Sequence, residues 1–215
     1  MKNLFDLDSP LMRFLSRIAD LILLNLIYLI CCIPIVTIGA ASTALYSVTL
    51  KMVKDEDSYI FRSFFTAFKE NFKAATLPWL LMLVFGAALV FDFMLTRSVS
   101  GTLIYIVQIF LGIITFLFIS MSIYLFPYIA RFENTMFNNL KNALLMSIIH
   151  LPYTILLIVL AALPVVVLMI NISIGLFIWI FLGLSLVSFV SSFLFRKIFK
   201  KYEGEDPVED TAGAK

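Results

Sequence analysis

The feature that most constrains this chain is the stretch of residues 21–50, which contains no charged side chain and has Pro34 near its middle. A single helix of that length would rise about 45 Å, half again the thickness of the hydrocarbon core of a bilayer. Proline removes a backbone donor and its ring clashes with the preceding helical turn. We therefore predict two helices that fold back at Pro34 into a hairpin with both ends on one side.

The composition indicates a membrane protein. The 215 residues are 62% hydrophobic and 14% charged, whereas soluble domains hold about 45–50% apolar and about 25% charged residues. The polar surface is too small for a soluble domain, so we predict an all-α, polytopic helix bundle in contact with the lipid bilayer. The net charge of +2 does not indicate nucleic-acid binding.

Uncharged segments further along the chain predict four more spans. The third and fourth cover residues 74–95 and residues 102 to about 128. Residues 142–195 carry no formal charge if His150 is neutral, and one helix of that length would rise about 80 Å. This stretch must therefore contain two spans, with a turn expected near residues 170–173.

The placement of positive charge distinguishes a hairpin from a single span in residues 21–50. With the hairpin, 15 of the 16 lysine and arginine residues lie on one side and only Arg97 lies on the other. With a single span the division is nine to seven. Because cytoplasmic loops carry the excess of lysine and arginine, we predict six spans in the cell membrane with both termini cytoplasmic.

A polar segment with helical periodicity precedes each pair of spans. These segments are residues 11–18, 61–73 and 132–141, and the second follows a predicted cap at Asp57 or Ser58. We predict three units, each an amphipathic surface helix followed by a hairpin of spans.

The second surface segment carries an aromatic stripe. Phenylalanine rings follow one helical face, and the opposite face is charged, with Lys69 and Lys73 among its residues. This pattern is typical of a helix that lies on a membrane with its rings in lipid, and a bound protein partner is the alternative. The rings are those of Phe61, Phe64, Phe65, Phe68 and Phe72.

Isolated polar side chains in the apolar segments are candidate sites. Asp92 carries a carboxylate within an apolar segment, and ionisable groups at membrane depth are often functional. Alternatively, Asp92 lies near the end of the span, close to Arg97, and its carboxylate reaches water. His150 could titrate or bind a substrate, or it could serve interhelical packing. Asn25 and Gln108 are expected to make polar contacts between helices.

The sequence holds no pattern typical of catalysis or of cofactor binding, such as a nucleophile paired with a base or a phosphate-binding loop. Cys31 and Cys32 are adjacent and point in different directions on a helix, so neither a mutual disulfide nor a shared metal is expected. We therefore expect a protein that is not an enzyme and has no catalytic residue, no cofactor and no metal site.

The domain organisation is simple. Residues 1–202 are expected to form a single transmembrane helical domain, because the polar connections are too short to form a separate soluble one. Residues 203–215 are acidic and contain glycine and proline. They cannot form a core, and we predict a disordered tail.

Two segments are similar to a known family. Residues 34–41, PIVTIGAA, and residues 64–73, FFTAFKENFK, resemble the YesL family of small bacterial membrane proteins of unknown function, and the likeness extends to about Lys201. The resemblance implies a Gram-positive source and a gene often found beside carbohydrate-uptake and polysaccharide-degradation systems. It implies no catalytic residue.

Two functions follow as hypotheses. The leading one is an accessory or regulatory protein of carbohydrate uptake that contacts membrane or cytosolic components of an importer, an association that comes from the resemblance alone. The alternative is a small transporter or permease-like transporter subunit, in which the broken first hairpin lines a path through the membrane.

Overall fold

The computed structural model describes residues 10–56, 59–97 and 101–202. The predicted cap at Asp57 or Ser58 and the predicted tail at residues 203–215 lie outside this range. The described residues form helices joined by short connections, and the helices are α1 (Pro10–Cys31), α2 (Ile38–Val53), α3 (Ile60–Glu70), α4 (Phe72–Arg97), α5 (Thr102–Arg131), α6 (Met136–Ile149), α7 (Leu151–Ile170), α8 (Ile172–Ile178) and α9 (Leu184–Phe199).

The described part of the chain contains six helical segments that are long and apolar enough to cross a membrane. The prediction of an all-α protein with six helices that could span a membrane is therefore confirmed, whereas the side on which the termini lie stays a prediction. The spans are Leu11–Cys31, Ile35–Val53, Phe72–Arg97, Thr102–Arg131, Leu151–Ile170 and Ile172–Phe199.

The predicted break at Pro34 is confirmed, because α1 ends at Cys31 and α2 begins at Ile38. Pro34 has an extended backbone (φ −76°, ψ 120°), and the 3₁₀ turn Ile35–Thr37 leads from it into α2. Proline has no N–H to donate to the carbonyl of Ile30, and its ring would clash with that carbonyl in a helix, which favours a break here. Pro78, Pro127 and Pro164, by contrast, are accommodated inside α4, α5 and α7.

The predicted surface helices differ from the observed ones. Residues 11–18 are part of α1, which runs unbroken because no glycine or proline interrupts it after Pro10. The second helix, α3, ends at Glu70, so Phe72 and Lys73 belong to α4. The third predicted helix, residues 132–141, begins too early, because the observed helix α6 starts at Met136.

The fifth span starts later than predicted. α6 continues to Ile149, and His150 (φ −107°, ψ 40°) separates it from α7. Pro152 lies in the first turn of α7, where it removes the N–H that would bond the carbonyl of Ile148. The sequence indicated that His150 lies inside the fifth span. The structure instead places it at the junction ahead of that span.

The turn between the last two spans lies where it was predicted. α7 ends at Ile170, and the Oδ1 atom of Asn171 accepts hydrogen bonds from the backbone N–H groups of Ser173 and Ile174, each at 3.1 Å. Asparagine is a preferred helix cap because its side chain satisfies these otherwise unpaired donors. The cap starts α8 and turns the chain back.

The buried core joins the spans near one end of the bundle. The ring of Phe195 in α9 lies 5.3 Å from the ring of Tyr124 in α5 and 5.8 Å from that of Tyr46 in α2. The hydroxyl of Thr154 in α7 donates to the Tyr124 hydroxyl at 3.1 Å. The halves of α4, α5 and α7 beyond this layer expose apolar side chains, as expected for surfaces that face lipid.

The start of α2 is rich in small residues, and it is buried from Gly39 to Ala44. Small residues let helix backbones approach closely. The Cα of Gly39 faces α4, where an added Cβ would lie 2.6 Å from the carbonyl oxygen of Ala75 and 2.6 Å from the Cβ of Trp79. α2 and α4 therefore pack at a distance that only glycine permits.

Replacing Gly39 with alanine is expected to lower the free energy of unfolding by about 2–3 kcal/mol, because the added methyl group meets backbone atoms that cannot move alone. Gly112→Ala is the matched control, since nothing beyond its own helix backbone lies within 4 Å of the added methyl group, and alanine favours helix there. Reversible unfolding in detergent measures both. Equal losses in the two variants would contradict the close packing of α2 on α4.

Candidate functional site

The first hairpin is shorter than the second. Its turn is tied to α4 by the indole N–H of Trp79, which donates to the carbonyl oxygen of Ile35 at 2.8 Å. α4 continues from Trp79 to Arg97, a further rise of roughly 27 Å. The turn of the first hairpin therefore lies well short of the end of the bundle that holds Arg97.

The side chain of Thr37 provides partners for two backbone carbonyls of this turn. The hydroxyl of Thr37 lies 2.6 Å from the carbonyl oxygen of Cys31 and 2.7 Å from that of Pro34. Meanwhile the exposed side chains of the turn are apolar, with Ile33 77% and Ile35 62% exposed. Backbone groups inside a bilayer must find partners within the protein, so this turn is suited to apolar surroundings.

Replacing Thr37 with valine is expected to lower the free energy of unfolding by about 1–2 kcal/mol, because the carbonyl of Cys31 loses its hydroxyl donor, while that of Pro34 keeps the N–H of Thr37 at 3.0 Å. The matched control is Thr115→Val in α5. The Thr115 hydroxyl bonds the carbonyl of Leu111 at 2.8 Å, but that carbonyl retains its helical N–H partner. Unfolding in mixed micelles compares the two, and a larger loss for Thr115→Val would count against the proposed role of Thr37.

Asn25 is fully buried in α1 and faces a π-helical segment, Trp179–Gly183, between α8 and α9. Its Nδ2 group donates to the carbonyl oxygens of Trp179 at 3.1 Å and Ile180 at 2.6 Å. Its Oδ1 atom accepts from the backbone N–H groups of Leu184 at 3.2 Å and Ser185 at 2.9 Å. A π turn interrupts the regular bonding of an α-helix, and Asn25 supplies partners at that interruption.

Gln108 also makes the expected contact between helices. Its Nε2 group donates to the carbonyl oxygen of Thr96 at 3.1 Å, which joins α5 to α4. Asp92 is exposed on α4, one turn before Thr96 and close to Arg97 in the chain. Its position near the end of the span agrees with the interpretation that the carboxylate reaches water.

His150 is half-buried among aromatic rings. Its Nδ1 atom lies 3.3 Å from the carbonyl oxygen of Met146, and its ring lies 5.8 Å from the ring of Tyr202 and 6.3 Å from that of Tyr153. Asn25, Asp92 and His150 lie in different elements, and among the described residues no hydrogen bond joins any two of them. A functional role for His150 or Asp92 stays a prediction.

The rings of the aromatic stripe do not share one environment. The pattern predicted that these rings face lipid. Phe64 instead is fully buried in a cluster with α1 and α2. Phe65 and Phe68 are half-buried against the same cluster, whereas Phe61 is 60% exposed. Phe72 belongs to α4, and its ring lies 5.6 Å from that of Phe68.

The opposite face of α3 is charged and exposed. It presents Arg62, Lys69 and Glu70, and Lys73 is exposed at the start of α4. Nearby, Arg17 of α1 forms an ion pair with Asp55 at 2.8 Å. α3 is thus held against the bundle by its aromatic face and leaves a charged face free for contacts.

The region from the first hairpin to α4 is also the region that matches a known family. Residues 21–93 match the family described as "Protein of unknown function, DUF624". The chain is 27% identical over 144 residues to "Uncharacterized protein YteU" of Bacillus subtilis (strain 168), a match that covers 66% of this chain and 64% of YteU. The chain therefore matches less than two thirds of the length of YteU.

Both matches are to proteins without a described function. They are compatible with the resemblance to YesL proteins, which neither match names, so that resemblance stays a prediction. No solved structure matches the chain.

Proposed function

We propose that the protein is a non-enzymatic accessory or regulatory component of carbohydrate uptake, located in the cell membrane with both termini cytoplasmic. The link to carbohydrate rests on the resemblance to YesL proteins. The proposed role through protein contacts rests on one observation, the way in which α3 is mounted on the bundle.

α3 is fixed to the spans and does not merely rest on lipid. Phe64 and Ala67 are buried against α1 and α2, with exposures of 0% and 4%. The charged face that carries Arg62 and Lys69 therefore keeps a defined position relative to the spans. A charged surface in a fixed position suits recognition of a protein partner, because electrostatic complementarity gives specificity.

The packing inside the bundle supports a contact role over transport. The small-residue segment of α2, which the alternative would place along a path, packs directly on Ala75 and Trp79. Asn25 uses its amide group in bonds to the last span. A small transporter subunit is the second candidate, and the π-helical segment favours it because such segments are frequent at functional sites.

Site-specific photo-crosslinking in native membranes tests the proposal. Benzoylphenylalanine at Thr66, which is exposed on the charged face of α3, should capture a component of a carbohydrate importer. The same probe at Leu103, which is 78% exposed at the far end of α5, is the matched control and should capture none.

Uptake measurements complete the test. Deletion of the gene should lower uptake of the sugar carried by the captured importer, and restoring the intact protein should return it. If the purified protein alone moved a sugar across the membrane of liposomes, this would contradict the accessory role and support the transporter hypothesis.

A further inference from the structure

A cavity of about 380 Å³ opens where the C-terminal ends of three spans meet. Its walls come from α2, α5 and α9, together with the residues that follow α2. Leu50 and Phe199 form its apolar base. The charged side chains at its rim are those of Lys51, Lys54, Glu56, Arg131, Arg196 and Lys200.

Helix ends alone do not account for this much positive charge. Each helix C-terminus carries about half a negative charge, so three ends bring about −1.5. The rim brings five cationic groups and one carboxylate, which leaves an excess of about +2.5 after the helix ends are neutralised. If these basic residues served only to neutralise the helix ends, their positive charge would not exceed the negative charge of those ends.

The cationic groups differ in what holds them. The guanidinium of Arg196 donates to the carbonyl oxygen of Val53 at 2.8 Å, which fixes it across the end of α2. Lys51, Lys54 and Lys200 have no ion-pair partner within the described residues. An anchored guanidinium with remaining N–H donors, beside ammonium groups that are not held in ion pairs, is suited to binding phosphate oxygens.

We propose that this cavity binds a phosphoryl group, either in the headgroup of an anionic phospholipid or in a soluble phosphate compound. Its volume exceeds that of a phosphate and lies in the range of small-ligand sites. A second cavity of about 660 Å³ shares Lys51 and Arg131 with it but is also lined by Glu70 and Glu133, so the phosphoryl site is assigned to the first cavity. Basic pockets between transmembrane helices are typical sites for anionic headgroups. This proposal does not depend on the proposed function.

The first test compares two variants of the full-length protein in neutral detergent. The cavity variant is Lys51→Gln/Lys54→Gln/Lys200→Gln. The control variant, Arg62→Gln/Lys69→Gln/Lys141→Gln, removes the same charge from exposed positions outside the cavity. Native mass spectrometry measures binding of phosphatidylglycerol, with phosphatidylcholine as the lipid without net charge.

The cavity variant should bind phosphatidylglycerol at least about ten-fold more weakly than the wild type, because each lysine near a membrane surface contributes about five-fold. The control should change by about two-fold or less, as expected for distant charges screened by salt. Equal weakening in both variants, or none in either, would exclude a lipid headgroup, and failure of inorganic phosphate to protect the cavity lysines as well would overturn the proposal.

A footprint on the wild-type protein keeps the test valid if the cavity variant does not fold. Bound phosphatidylglycerol should protect Lys51, Lys54 and Lys200 from acetylation and should leave Lys69 and Lys141 reactive. Protection of neither set, or of both sets equally, would contradict the site.

Inorganic phosphate distinguishes the two sources of the phosphoryl group. If millimolar phosphate displaces the lipid and protects the same three lysines, the site takes a soluble phosphate compound. If only phosphatidylglycerol protects them, the site takes a lipid headgroup.

Discussion

Replacing Asn25 with leucine is expected to lower the free energy of unfolding by about 3 kcal/mol, the largest loss from any single polar side chain of this bundle. Leucine has a similar volume, so the change leaves little empty space. What it removes is the set of four hydrogen bonds to the backbone of Trp179, Ile180, Leu184 and Ser185.

Two effects set the size of this loss. A buried backbone group without a partner costs about 1–3 kcal/mol, and several groups would lose theirs at once. Against this, hydrogen bonds between membrane helices average only about 0.6 kcal/mol in measured cases, because other partners become available. The fully buried position of Asn25 limits such relief, and the π-helical segment cannot regain regular bonding without shifting the last span.

Gln108→Leu is the matched control for Asn25→Leu. Gln108 makes a single interhelical hydrogen bond, to the carbonyl of Thr96, so its loss should be under about 1 kcal/mol. Unfolding in mixed micelles measures both variants, and hydrogen exchange at residues 179–185 reports the last span directly. Similar stabilities for the two variants, with unchanged exchange, would refute the role assigned to Asn25.

The sequence predicted the break at Pro34 because the chemistry of proline acts locally. Its missing N–H and its ring weaken a helix beyond the first turn, but Pro78, Pro127 and Pro164 lie inside α4, α5 and α7. The length of the uncharged stretch and the distribution of positive charge were therefore also needed to predict a break at Pro34. The same chemistry was less informative at Pro152, because proline is also tolerated in the first turn of a helix. Whether Pro152 lay inside a span or at its start, and so on which side of the junction His150 fell, depended on packing that the local sequence does not encode.

The environment of the aromatic stripe could not be predicted for a different reason. Helical spacing shows which residues share a face, but lipid and protein interior are both apolar, so hydrophobicity does not tell them apart. Phe64 is buried and Phe61 is exposed, although both follow the same pattern. The difference comes from where α1 and α2 end, which is a property of the whole fold.

The π-helical segment left no local signal in its own span. One inserted residue in a long apolar helix changes neither composition nor hydropathy. The signal lay in another span, where Asn25 is a buried amide that requires partners. A polar side chain of this kind can therefore indicate an irregularity in a helix to which it is not connected in sequence, although it cannot say which one.

The depth of the first hairpin gives the second large effect that we expect. In a Cys31→Ser background, native Cys32 at the start of the turn should not react with a membrane-impermeant maleimide, either on intact cells or on opened membranes. The thiolate attacks the maleimide, and a thiolate forms only where water reaches the thiol. The apolar turn ends roughly 27 Å before the end of α4. Denaturation in detergent should restore the reaction.

Two positions calibrate this experiment in a Cys31→Ser/Cys32→Ser background. Arg97→Cys, at the exposed end of α4, should react on intact cells if that end faces outward. Tyr59→Cys, at a position 85% exposed ahead of α3, should react only after the membrane is opened. Reaction of Cys32 on intact cells as fast as that of Arg97→Cys would mean that the turn reaches outside water. Reaction of Tyr59→Cys on intact cells would instead reverse the predicted orientation and leave the depth of the turn unaffected.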